Sequence, residues 1–312
     1  MIKKFTLLCF FMAFPLVAII SATMGTASDR ANYIRFLENP FGITRFEPSF
    51  VFIGKALSFI ASPETAIVMI SVVTYGLLGF SWSRIYPRPF ISSFLSFHLS
   101  IYLFFNYFIG TAIRNGLAAA LMIALFTISV TNRSWIMKSV ILVGPSFHLG
   151  TALFSMLGWF YAQFYHYRFV QLSAVISSVI GIIGFAWVLP NFLTSEYYSR
   201  WLIAGSFGTD RFRSFSMLTY AVFIFLILIH PKKDVWSRFV LVPAPILIFY
   251  LVTGIEAFHR LLMPFFFIGT AVAFQRYAQV FGRLIGNSNY LFILIIGNFL
   301  GLVYAFKRWG LL

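Results

Sequence analysis

The stretch GTAIRNGLAAALMIALF, residues 110–126, decides the fold class, because it has the composition of a membrane helix with one arginine at its mouth. Small and apolar side chains follow Arg114 for more than three turns, which is typical of a helix surrounded by lipid. Arg114 has two interpretations. It is either a topology signal or snorkelling anchor, or a charge kept near the membrane surface to bind a charged substrate.

The composition supports a membrane protein throughout. Of 312 residues, 60% are hydrophobic and only 10% are charged, whereas a soluble domain carries about 25% charged residues. The sequence therefore predicts an all-α, polytopic integral membrane protein of about ten or eleven transmembrane helices, forming one domain over residues 1–312. The predicted spans are 5–22, 64–82, 90–109, 113–130, 139–160, 170–189, 215–230, 239–254, 261–275 and 289–306, with a shorter, doubtful one at 48–61.

The topology has one internal conflict. Lys3 and Lys4 place the N-terminus inside, before an uncleaved first span, and the long loops 23–47 and 190–214 are predicted outside. The basic loops VTNRSWIMK (130–138) and PKKDVWSR (231–238) both have the character of cytoplasmic loops, yet three predicted spans lie between them. Either one loop breaks the positive-inside bias, or part of residues 191–205 forms a re-entrant or interfacial segment.

The charges exclude several classes of protein. The net charge of +15 is spread over short loops, which argues against nucleic acid, and part of the arginine excess favours an anionic substrate or lipid head group. The single cysteine, Cys9, excludes a disulfide within the chain and a cysteine metal site. No Walker, HExxH or D-x-D motif occurs, so an ATP-driven pump and a D-x-D metal-dependent glycosyltransferase are disfavoured, and no metal or cofactor is expected.

Four short motifs contain the candidate functional residues, and each also has a purely structural interpretation. His148 in GPSFHLGTALF is either a hydrogen-bonded histidine between helices or a group that lines a cavity shaped by the preceding proline. Glu256 and Arg260 in GIEAFHRLLMPFFF lie four residues apart, so they form either an interfacial ion pair or an arginine oriented into a cleft. Glu47 and Pro48 have the structural interpretation of an ordinary helix start, because glutamate favours the positive end of a helix and proline favours its first turn.

The second long loop contains the motif TDRFRS. Its Arg211 and Arg213 form either an interfacial anchor, which is the favoured interpretation, or a clamp for an anionic substrate.

The segments FEPSF, IRNGLAAAL, SFHLGTAL and HRLLMPFFF occur in this order, and together they resemble the EpsG family of bacterial polysaccharide-assembly membrane proteins. The resemblance spans roughly residues 29–270, and its features fall on Asp29, Tyr33, Glu47, Pro48, Arg114, Phe147, His148 and Arg260. Three departures are visible: Asn115 replaces a usual glutamine, Gly150 a common serine, and Phe265 or Phe266 a usual tyrosine. An aromatic packing role of that tyrosine would survive the last replacement.

The resemblance implies a Wzy-type polymerase of O-antigen, capsule or exopolysaccharide. Such enzymes join repeat units carried on undecaprenyl diphosphate at the outer face of the bacterial cytoplasmic membrane, alongside a flippase and a chain-length regulator. On this hypothesis Arg114 and Arg260 stabilise the lipid-diphosphate leaving group without a metal, and His148 or Glu47 is the general base. The substrate-binding candidates are Asp29, Tyr33, Arg211, Arg213 and Glu256. The alternatives are a lipid-linked glycosyltransferase, a ligase, a flippase or a non-catalytic subunit.

Overall fold

A computed structural model describes most of the chain on either side of residues 165–214. The described residues are 4–5, 7–9, 12, 28–42, 46–87, 89–106, 109, 112–132, 134–164, 215–229, 234–253 and 256–308. Within these ranges the backbone forms helices and turns and no strand. The predicted all-α fold is therefore confirmed, whereas the predicted re-entrant segment at 191–205 and the loop at 190–214 lie outside the described residues.

The first predicted outer loop contains a helix of its own. Helix α1 (Ser28–Glu38) is followed by α2 (Pro48–Ser58), which begins at the favourable first-turn proline after Glu47. Phe46 lies edge-on to both Phe36 and Phe50, at centroid distances of 4.9 and 5.5 Å, and these contacts hold the two helices together. An 11-residue helix is only about 16 Å long, so α2 is too short to cross a membrane by itself.

Two long helices run side by side in the same direction and define two ends of the bundle. They are α3 (Pro63–Ile85) and α5 (Ile113–Ser129). Near their starts Ile70 and Ile113 belong to one buried cluster, and near their ends the Arg84 Nε donates to the Thr127 carbonyl at 3.2 Å. The end at which both helices start is called the Glu47 end below, and the other is called the Asp234 end.

The remaining helices complete the bundle around these two. Helix α4 (Phe90–Ser100) continues as a π-helical turn, Ile101–Phe105. The later helices are α9 (Phe215–Ile229), α10 (Val235–Leu241), α11 (Ala244–Thr253), α12 (Glu256–Ile285) and α13 (Asn287–Arg308). Within the described ranges, Pro63–Ile85, Leu261–Ile285 and Asn287–Lys307 are long and apolar enough to cross a membrane.

Residues 135–164 form a helical hairpin, so the predicted single span at 139–160 is wrong. One arm comprises α6 (Trp135–Ser139), a 3₁₀ turn (Val140–Val143) and α7 (Gly144–Phe147), and the other arm is α8 (Ala152–Phe164). The Trp159 indole donates to the Ser139 hydroxyl at 3.4 Å, and a Cβ on Gly144 would meet Ser155, so the arms are antiparallel. The turn between them contains His148.

The two basic loops lie at the same end of the bundle. The Tyr161 hydroxyl, near the end of α8, donates to the Val235 carbonyl at 2.8 Å, and Trp236 packs against Phe126 at the end of α5. The loop after α5 and the loop before α10 therefore lie at the same end of the bundle, the Asp234 end. Counting the hairpin as two arms gives an even number of predicted segments between these loops, although the predicted span at 170–189 in that count lies outside the described residues.

Candidate functional site

Glu47 is the centre of a three-residue cluster at the Glu47 end. Its Oε2 accepts a hydrogen bond from Arg114 Nη1 at 2.6 Å, and its Oε1 lies 3.0 Å from His148 Nδ1. The side chains of Arg114, Glu47 and His148 are 20%, 14% and 13% exposed. Two motifs that lie 67 and 101 residues from Glu47 in sequence therefore meet around its carboxylate, and none of the three side chains is fully buried in the protein.

Each member of the cluster is positioned by the start or end of a helical element. Glu47 is the N-cap residue of α2 in an extended conformation, Arg114 is the second residue of α5, and His148 ends α7 in the turn of the hairpin. The Ser49 hydroxyl donates to the Ser146 hydroxyl at 2.8 Å, which provides a second link between α2 and the hairpin. Because this link holds α2 against the hairpin, the side chains of Glu47 and His148 lie close together.

Arg114 is held in a position that a helix alone would disfavour. The first turn of an α-helix has a partial positive charge, so a cation there is locally destabilising. Glu47 offsets this cost through its ion pair, and the guanidinium also lies 4.8 Å above the centre of the Phe46 ring. Its Nε is buried without a hydrogen-bond partner among the described residues. Arg114 is therefore oriented from two sides and keeps unused hydrogen-bonding capacity.

The electrostatics favour an ionised Glu47. Burial raises the pKa of its carboxyl, but the hydrogen bond from His148 and the charge of Arg114 outweigh burial and lower the pKa below its ordinary value. An ionised carboxylate only accepts hydrogen bonds, so the His148 Nδ1 must be the donor. In a neutral imidazole this leaves Nε2 unprotonated, and therefore able to accept a proton.

Tyr33 and the aromatic residues behind Arg114 support the cluster. Tyr33 is buried and stacks on Phe46 at 5.5 Å, so it lies one ring away from the guanidinium. Phe46 was missed by sequence reasoning, although its position directly before Glu47 in FEPSF is a usable signal. Asp29 lies on α1, four residues before Tyr33, and its side chain is not among those described.

Arg260 and Glu256 lie in the first turns of α12, at the Glu47 end. Phe265 packs against Phe154 at 4.9 Å, while Arg276 farther along α12 pairs with Asp234. Helix α12 therefore runs from the Glu47 end towards the Asp234 end. The side chains of Arg260 and Glu256 are not among those described, so their contacts with the cluster stay a prediction. Arg211 and Arg213 lie outside the described residues.

Two of the departures from the family pattern acquire a physical meaning. Phe265 and Phe266 are fully buried, and Phe265 packs against Phe154 and Phe239 while Phe266 packs against Phe104 and Tyr220. At Gly150 a Cβ would lie 2.9 Å from His148 Nε2, so a serine here would require the imidazole to shift.

In the parts of the chain that the structure describes, no three His, Cys, Asp or Glu side chains group closely enough to hold a metal ion.

Comparison with known proteins identifies the family. The EpsG family model matches residues 6–310, which is nearly the whole chain. No curated protein and no solved structure matches this chain. Together with the apolar helices, the match makes the chain a multi-pass membrane protein of the polysaccharide polymerase type. The chain belongs to the EpsG family, a family of Wzy-type polysaccharide polymerases.

Proposed function

We propose that this protein polymerises oligosaccharide repeat units linked to undecaprenyl diphosphate, at the outer face of the bacterial cytoplasmic membrane. The product is O-antigen, capsule or exopolysaccharide. The observation that carries the proposal is the Glu47 cluster, in which a cation and a candidate base share one carboxylate. Both basic loops lie at the opposite end of the bundle, which supports an outward-facing Glu47 end under the positive-inside rule.

In the proposed reaction the growing chain moves from its lipid onto the non-reducing end of a new lipid-linked unit. An acceptor hydroxyl oxygen attacks the anomeric carbon of the donor, and its proton passes to His148 Nε2. The bond between that carbon and the diphosphate oxygen breaks, and undecaprenyl diphosphate leaves with the electron pair. Glu47 orients the imidazole through Nδ1 and stabilises the positive charge that the imidazole gains, as the third member of a catalytic triad does.

Arg114 is the group proposed to stabilise the leaving diphosphate. A planar guanidinium forms bidentate bonds to phosphate oxygens and stays charged near lipid. An arginine that is oriented in advance stabilises the developing negative charge without reorganisation at the moment of reaction. Arg260 is proposed as a second donor, because α12 starts at the same end of the bundle. Arg211 and Arg213 remain secondary candidates, and Asp29 and Glu256 remain candidates for contacts with the substrate.

The test is the polymer ladder of a strain that lacks this gene and is complemented with wild type, Arg114→Lys or Arg276→Lys. Arg276 is the matched control, since it also pairs with a carboxylate at 2.6 Å but at the other end. We expect a ladder from wild type and Arg276→Lys, and only a single repeat on its lipid from Arg114→Lys. Loss of even the single repeat would indicate an earlier step, namely a flippase or a transferase that builds the unit. A wild-type ladder from Arg114→Lys would contradict the assignment of Arg114.

A non-catalytic subunit is the alternative that needs a separate test. Such a protein would tolerate the simultaneous loss of Arg114 and Arg260 as long as it still inserts and assembles. The paired substitution Arg114→Gln with Arg260→Gln therefore separates the two hypotheses. An enzyme would produce no polymer, whereas a scaffold would still support a full ladder at an equal membrane level of the protein.

A further inference from the structure

The Glu47 cluster presents a problem for diphosphate binding. Arg114 is already neutralised by a carboxylate whose oxygen lies 2.6 Å from Nη1. A diphosphate that approached the intact pair would meet a group of little net charge and a nearby anion. A carboxylate and a phosphate present similar oxygen pairs to a guanidinium, so they compete for the same hydrogen-bond donors.

Glu47 is placed so that it can leave Arg114 at a low cost. Its carboxylate also receives hydrogen bonds from His148 Nδ1 and from its own backbone N–H. It occupies the N-cap position of α2 but makes no capping bond to that helix. N-cap side chains commonly accept hydrogen bonds from the first turn. A Glu47 that has left Arg114 therefore keeps His148 and still occupies the N-cap position beside the first turn of α2.

Arg114, in contrast, stays in place when Glu47 leaves. The Phe46 ring under the guanidinium is fixed by Tyr33, Phe36 and Phe50. The buried Nε has no partner among the described residues. The guanidinium would therefore exchange one anion for another without having to be reoriented.

We propose that Glu47 is an internal anion that holds Arg114 in the empty enzyme, and that the diphosphate of the lipid-linked donor displaces it. This inference rests on the proposed function. On displacement the carboxylate keeps its contact with His148, so Glu47 still orients the base while the donor is bound. Glu47 is in this sense a positioning residue for both halves of the site.

The test is the affinity of the purified full-length protein for undecaprenyl diphosphate and, in parallel, for inorganic pyrophosphate. Glu47→Gln removes the competing charge and keeps the side-chain shape, so it should bind undecaprenyl diphosphate about tenfold more tightly, while polymerisation falls. Arg114→Ala should bind about tenfold more weakly. Asp234→Asn is the matched control, because it removes the carboxylate charge from the other arginine pair, and its affinity should equal that of wild type. The affinity for pyrophosphate shows whether the diphosphate head group without its lipid is sufficient for binding.

The outcomes separate the inference from the proposed function. Weaker or unchanged binding by Glu47→Gln, with weaker binding by Arg114→Ala, would overturn the inference and leave the function standing. Equal binding by wild type and Arg114→Ala would overturn the role of Arg114 itself. If Glu47→Gln does not yield folded protein, Glu47→Asp replaces it. Its side chain is one methylene shorter, which weakens the ion pair with Arg114, so this variant should also bind undecaprenyl diphosphate more tightly than wild type.

Discussion

The two ends of the bundle each contain a carboxylate that pairs with an arginine at 2.6 Å, and the two carboxylates are used differently. Asp234 caps α10 through the Ser237 N–H and hydroxyl, and its other oxygen binds Arg276. Glu47 occupies the same N-cap position before α2 but turns away from its helix towards Arg114 and His148. Asp234 therefore stabilises its own helix and the packing against α12, whereas Glu47 omits the cap and joins two distant motifs. Residues that forgo a local stabilising contact in this way are frequent at functional sites.

The largest expected effect is at His148. In His148→Asn the side-chain amide can still donate to Glu47, but the ring nitrogen that is proposed to accept the proton is lost. Polymerisation should fall by about 10² to 10⁴, the usual contribution of a general base. The measurement is the rate of chain elongation in membranes that contain equal amounts of protein. A rate within a few-fold of wild type would assign His148 a packing role only.

Arg114→Ala should reduce the elongation rate by about 10² to 10³, as the loss of one preorganised electrostatic donor does. Arg276→Ala, the corresponding change at the Asp234 end, should leave the elongation rate of correctly inserted protein near that of wild type. Elongation assays on matched membrane preparations would measure both. Equal losses of elongation rate in the two variants would mean that both arginine–carboxylate pairs have the same structural role. That result would contradict the functional difference proposed between the two ends of the bundle.

The acid dependence of stability should distinguish Glu47 from a neutral replacement. Because the folded state lowers the pKa of Glu47, the carboxylate contributes stability above its unfolded pKa of about 4.3. This contribution is lost as the pH falls through the folded pKa. The difference in melting temperature between wild type and Glu47→Gln should therefore be constant near neutral pH and shrink below about pH 4.3. Thermal unfolding in detergent at several pH values measures this difference, and a pH-independent difference would contradict the lowered pKa.

The smallest effect is expected for Asp234→Asn. An asparagine is as good an N-cap as an aspartate, so only the ion pair with Arg276 is lost. Because both side chains are partly exposed, this loss should cost at most about 1 kcal/mol. Thermal unfolding and the polymer ladder should both resemble those of wild type. A collapse of stability in this variant would show that the Asp234 end depends on charge rather than on capping.

The sequence contained the members of the site but not their contacts. Glu47, Arg114 and His148 each belong to a motif with a recognisable chemical character, so they could be selected as candidates one at a time. That one carboxylate meets both partners depends on how α2, α5 and the hairpin pack, and no local pattern encodes distances across 67 and 101 residues. The two interpretations of Glu256 and Arg260 stay predictions, because the side chains of these residues are not among those described.

The error in the predicted span at 139–160 has a physical cause. Apolar side chains flank the turn at His148 on both sides, so hydropathy averaged over this stretch does not distinguish one long helix from two short antiparallel ones. Gly144, Pro145 and Gly150 mark the break, because glycine and proline favour turns over helix interiors. The all-α class, in contrast, followed directly from composition, because a chain this apolar has to satisfy its backbone hydrogen bonds internally.

The length of the hairpin determines how a substrate can arrive. Each arm has 13 residues and is about 20 Å long, whereas the hydrocarbon layer is about 30 Å thick. With its base at one membrane surface, the tip that contains His148 would stop within the opposite leaflet, short of the water. A lipid-anchored sugar would then enter sideways after a two-dimensional search, and its encounter rate would depend on its density per unit area of membrane.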